Sequence, residues 1–236
     1  MNDRSISISS FLINVLRNYV VVSLNMNRAK IQLSEEELGL VQNAEWLLTK
    51  NRIIAKVYEM FGFLISDVQL MLSGNPILSS EIFASSPKIS KGENYRGLPY
   101  VMLDYPRCFG KSDIFAIRTM FWWGNFFSTT LHLKGTYKNE LAPMLQKNLS
   151  VLADHHLFLS VDTDEWRHDF EPDNYVPIVH NQAAIFADNL LKKDFCKVAG
   201  KIGLNDWSNV TGQLLTFYET FFKKVIINFP GDGRDL

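Results

Sequence analysis

Two runs of period-two patterning joined by a glycine turn constrain this chain more than any other feature. Residues 113–123 and 126–134 are dense in β-branched and aromatic side chains, and Gly124-Asn125 separates them. Such a pair of runs across two turn-forming residues is the signature of a β-hairpin. With a two-residue loop, Trp123 pairs with Phe126, Phe121 with Ser128, Thr119 with Thr130 and Ile117 with His132. Side chains alternate across a strand, so the other face then carries Trp122, Phe127, Met120, Thr129, Arg118, Leu131, Ala116 and Leu133. One face is apolar and the other mixed, which suits a sheet with helices on one side and a partly covered second side.

Further elements follow from the same periodicities. Residues 99–105, 157–163 and 195–202 read as strands, which gives a sheet of about five. Ser34 and Glu37 form a capping box that opens a helix, and a second helical stretch runs from Ile53 to a stop near Ser73-Gly74-Asn75-Pro76. These are an antiparallel helix pair, or one helix bent near Thr49–Asn51. Residues 77–97 read as connecting structure with a short helix near 80–84, and 165–177 as irregular. Helices are expected over 137–153, with Pro143 in the first turn, and over 179–192. A long final helix runs from Asn205 or Asp206 to Pro230-Gly231. The order argues for an α+β fold: a mostly antiparallel sheet with an N-terminal helix pair and a long C-terminal helix packed on it.

The 236 residues hold no repeat or linker, so residues 26–236 read as a single α+β domain. Residues 6–24 are apolar, but Asn14, Arg17 and Asn18 interrupt them and no cleavage site follows; the run is too short between charges to span a membrane. Met26 lies just before the first clean helix entry, which makes residues 1–25 an N-terminal extension, disordered or upstream of the true start. A chain begun at Met26 is therefore expected to fold as the full chain does, and failure of that truncation to fold overturns the expectation.

Lys+Arg 24 against Asp+Glu 25 leaves a net charge of −1, without the basic excess that phosphate neutralisation needs, so nucleic acid is not an expected partner. Lys192, Lys193, Lys197 and Lys201 read as solvated sides of a helix end and a strand. Cys108 and Cys196 lack metal-ligand spacing and read as reduced, buried thiols, which fits a soluble protein of the reducing cytoplasm.

Phe109-Gly110-Lys111-Ser112 resembles the tail of a phosphate loop, but Tyr105 stands where the first glycine belongs, so the segment is a turn. Asp162, Thr163 and Asp164 open an acidic stretch that continues through Glu165, Asp169, Glu171 and Asp173. Trp166 and Arg167 occupy the positions where a calcium loop needs an oxygen ligand and a glycine. No motif implies a cofactor. His132, mid-strand beside Thr130, Ser128 and Thr119, is the candidate catalytic imidazole. Asp104, Arg107 and Arg118, with Tyr95 and Arg96 in the loop before the first strand, are candidate ligand anchors, because a guanidinium offers a planar fork to a carboxylate or phosphate. His168 and His180 with Asp162 or Asp164 are a candidate metal set.

Three functions follow. The first is a non-catalytic binding module, contacting a protein partner or a second copy through the Trp122–Phe127 hairpin if those aromatics are exposed. The second is an enzyme or small-ligand binder with a pocket over the sheet centred on His132. The third is a metal-dependent hydrolase using His168, His180, Asp162 and Asp164.

Overall fold

A computed structural model describes residues 13, 15–17, 20, 31–73, 81–180 and 183–226. Most of the N-terminal extension expected over 1–25, and the helix stops expected at Gly74–Pro76 and Pro230-Gly231, lie outside the described residues. The chain divides into two compact units, Met1–Ile53 and Ile54–Leu236.

In the first unit, helix α1 (Glu35–Gln42) starts at the expected capping box. The Glu37 N–H donates to Ser34 Oγ at 3.2 Å, and the Ser34 N–H donates to Glu37 Oε2 at 2.7 Å. None of its eight residues is buried, so it is not the packed helix that the expected pair called for. The chain turns at Asn43, whose side chain accepts from the Trp46 N–H and opens helix α2 (Ala44–Leu72). That helix runs unbroken through Thr49–Asn51, where the alternative to a helix pair placed a bend.

The second unit is built on one seven-stranded antiparallel sheet, not five strands. Its strands are β1 (Lys88–Tyr95), β2 (Leu98–Phe109), β3 (Ile114–Trp122), β4 (Phe126–Lys134), β5 (Phe158–Ser160), β6 (Tyr175–Pro177) and β7 (Phe195–Gly203). They lie in the order β1-β2-β3-β4-β7-β5-β6. Strand β1 falls in the stretch read as connecting structure because, as an edge strand, it carries Lys88, Lys91 and Glu93 instead of an apolar face. Arg96 and Gly97, both at positive φ (50° and 82°), turn it tightly into β2. Strand β6 is three residues long, too short to show a period.

The β3–β4 loop holds three residues rather than two. Asn125 N–H donates to the Trp122 carbonyl at 3.0 Å, and Gly124 takes φ 72°, closing the turn around Trp123. The register therefore moves by one: Trp122 faces Phe126, Phe121 faces Phe127, Arg118 faces Thr130 and Ala116 faces His132. Arg118 thereby joins His132, Thr130 and Ser128 on one face. Thr119 moves to the other, bonded to Thr129 and to the Tyr218 hydroxyl at 3.2 and 3.1 Å.

The helix-side face is the main core. Val101, Leu103, Ile117, Phe121, Phe127, Leu131 and Val198 pack with the Val57, Phe61, Leu64 and Val68 seam of α2 and with Leu214, Tyr218 and Phe221. Helix α3 (Glu81–Ala84) precedes the sheet. The helix expected over 137–153 breaks at Asn148 into α4 (Thr136–Lys147), with Pro143 inside it, and α5 (Leu149–Asp154). Helix α6 (Ala183–Lys192) leads into β7. The long final helix is three pieces: a 3-10 stretch Leu204–Asn209, helix α7 (Val210–Glu219) and a π-helical stretch Thr220–Ile226. Among the described residues no helix is long and apolar enough to cross a membrane.

Candidate functional site

Among the described residues, the opposite face of the sheet is covered by irregular chain rather than by helices. Residues 161–174 cross it as a strap, and the strap is built around one guanidinium. Arg167 bonds Asp162, Asp169 (2.8 and 3.2 Å) and Asp173 (3.0 Å twice), so the acidic stretch holds its own cation. Asp169 is the deepest of the three, its side chain only 1% exposed. Burial pushes its carboxyl up, yet Arg167 and Arg96 pull it down by more, and the net shift is below the ordinary carboxylate value. The Tyr95 hydroxyl ties the strap to β1, accepting from the His168 and Asp169 N–H groups at 2.7 and 3.1 Å. Phe170 stacks on Tyr175 and meets Phe126 and Phe158 edge-on.

Between strap and sheet lies a pocket of about 210 Å³. Its floor is the cross-strand pairs Met102–Met120 and Asp104–Arg118; Ser90, Tyr95 and Tyr100 form one wall, Trp166 and His168 the other. Arg118 donates from Nε and Nη2 to the two Asp104 oxygens at 2.7 and 3.2 Å, a bidentate pair with both side chains mostly buried. Its guanidinium also sits 5.2 Å from the Phe109 ring centre and 5.7 Å from that of Trp166. Arg118 Nη1 reaches His168 Nε2 at 3.5 Å. A guanidinium only donates, so His168 carries its proton on Nδ1. Burial, then Lys197, Arg118 and His132, hold that imidazole neutral with its pKa well below the ordinary value.

Behind Trp166 lies a second layer. His132 Nε2 donates to Glu165 at 3.2 Å, since a carboxylate only accepts, and Glu165 also takes Lys134 at 2.8 Å. Burial, with Lys197, Arg118 and Lys134 nearby, pushes the His132 pKa down to about 3. Lys197 stands directly across the strand pair from His132. It is 1% exposed, donates to the Arg167 carbonyl at 2.5 Å and lies 5.3 Å from the Tyr175 ring centre. Burial pulls its pKa down to about 7; Asp164 and Asp162 raise it, and Arg118 and Lys193 lower it further.

Of the residues singled out from sequence, Asp104, Arg118, Tyr95 and His168 converge on this pocket, and Arg96 reaches its margin through Asp169 at 3.0 Å. His132 sits behind Trp166 rather than in the pocket lining. Arg107 is elsewhere, donating its N–H to Ser85 Oγ and its Nε to the Ser86 carbonyl. His180 pairs with Asp154 at 3.2 Å on an exposed surface, and Asp162 and Asp164 accept backbone N–H groups of the strap. His168 and His180 are thus engaged with different partners, and among the described residues no three His, Cys, Asp or Glu are grouped to hold a metal ion.

Lys197, read from sequence as a solvated strand side, is the residue that reading missed. Its signal is its place inside the run Phe195-Cys196-Lys197-Val198-Ala199, where every neighbour is apolar. A larger hollow of about 530 Å³ between α4 and α6 offers one charged group, Lys138, whose amine already donates to the Lys193 carbonyl.

No family model, curated protein or solved structure matches the chain.

Proposed function

We propose that this chain binds a small molecule in the pocket between the sheet and the 161–174 strap. The observation that carries the reading is the convergence of Asp104, Arg118 and His168 from three separate segments on one aromatic-walled concavity. The interaction reading through the hairpin loses its support, because Trp122, Phe126 and Phe127 are buried and Trp123 is half-buried. Binding is favoured over proton-transfer catalysis. A general base works best with a pKa near the working pH, whereas His168 is held well below that range and Lys197, near 7, lies outside the pocket lining.

Ser90 lies on the edge strand β1 at the pocket wall, so Ser90→Phe fills the pocket without removing a charge. Small fragments are expected to shift the Trp166 indole resonance of the native protein in heteronuclear NMR, and that shift is expected to vanish in Ser90→Phe. If no fragment of any kind moves Trp166, or if the variant responds equally, the reading fails.

A further inference from the structure

The chemistry of the lining goes further than the presence of a pocket. Resting on the reading above, we propose that the ligand is a neutral, planar heteroaromatic ring that presents a hydrogen-bond donor and an acceptor on one edge. Three observations carry this, and the first is size. About 210 Å³ is below the roughly 300–1,000 Å³ typical of drug-sized sites, and it suits one or two fused rings.

The second is charge. Asp104 and Arg118 neutralise each other through two hydrogen bonds, and His168 is neutral. The nearby carboxylates are also engaged: Asp169 by Arg96 and Arg167, Glu165 by Lys134. The buried Lys197 amine lies outside the lining, on the Arg167 carbonyl, so a charged ligand would lose its hydration here without gaining an uncommitted counter-charge in the lining. An aromatic cage for a quaternary ammonium is the nearest rival, since Tyr95, Tyr100 and Trp166 surround the site. Arg118, however, already lies over the Trp166 ring and would repel a second cation.

The third is the residual hydrogen-bonding capacity. Each Asp104 oxygen takes one N–H from Arg118 and keeps an acceptor site, while the guanidinium, after two N–H groups given to Asp104 and one to His168, retains two of its five. The paired floor residues therefore offer both acceptor and donor capacity beside the polarizable Met102 and Met120 side chains, which favour ring contact. That is the complement of a ring edge carrying one N–H and one bare nitrogen.

The test compares three probes by titration of the Trp166 resonance in the full chain at neutral pH: indazole, benzoate and benzyltrimethylammonium. Indazole is expected to bind at least about tenfold tighter than either charged probe. Asp104→Asn keeps the shape of the floor but leaves the Arg118 charge uncompensated, so it is expected to reverse the order in favour of benzoate. If either charged probe binds the native protein as tightly as indazole and is excluded by Ser90→Phe, the ligand class is wrong and the pocket stands. If none of the three binds, the class is overturned as well, and the broader fragment titration decides whether the pocket reading falls with it.

Discussion

Lys197→Met is expected to stabilise the protein, and the gain is expected to fade as pH rises. The amine is 1% exposed with a pKa near 7, against about 10.4 in an unfolded chain. Between those values the unfolded state binds more protons than the folded one, so native stability climbs with pH across the window. Below about pH 7 the folded protein carries the full cost of a buried ammonium, on the order of 4–5 kcal/mol from the width of that window. Methionine removes the charge at similar volume but leaves the Arg167 carbonyl without its donor, a loss of roughly 1 kcal/mol. The net gain is therefore about 3–4 kcal/mol in mild acid and close to zero near pH 10. Urea denaturation of both proteins across that range checks it; a variant less stable in mild acid, or one keeping the native pH slope, would sink the idea. The same substitution removes the leading charge that holds His132 and His168 neutral, so both imidazoles are expected to titrate higher in NMR.

The antiparallel α+β frame was legible because its central strands are dense in β-branched and aromatic residues on either side of a glycine turn, and because Ser34 and Glu37 mark a helix start in side-chain chemistry alone. The edges were not legible. Strand β1 is held by backbone pairing to β2 and shows charge where a period is sought, and β6 is only three residues long. The site was legible as a set of residue types but not as a place. Asp104, Arg118 and Tyr95 stand out in sequence as recognition groups, yet a two-residue hairpin loop puts Arg118 on the wrong face. The third loop residue decides that Arg118, not Thr119, shares a face with His132. His168 and Trp166 reach the pocket only because the strap crosses the sheet, and nothing periodic in residues 161–174 announces that path. Lys197 was misread for a related reason: lysine is normally solvated, and its burial depends on what the strap covers.

Arg167→Met is expected to undo the strap and with it the pocket wall. The guanidinium holds Asp162, Asp169 and Asp173 together, and removing it leaves the Asp169 carboxylate buried with Arg96, itself half exposed, as its remaining ion-pair partner. An uncompensated buried charge is among the most disruptive single changes a fold can suffer. In the native protein all three carboxyls titrate below their ordinary values, so their contribution to stability is present above the unfolded carboxylate range and is lost as pH falls through the folded values. In the variant burial dominates at Asp169 and its pKa rises, so the deficit relative to native protein should be largest at neutral pH and shrink on acidification. Amide exchange is the direct measurement. Protection across residues 161–174 is expected to fall at least about a hundredfold at neutral pH, while the helix-side core, whose residues lie on the other face of the sheet, keeps its protection. Because Trp166 and His168 belong to the strap, ligand binding should be lost together with that protection, even though Asp104 and Arg118 remain on their strands. Retained binding with an unprotected strap would show that the sheet face alone forms the site.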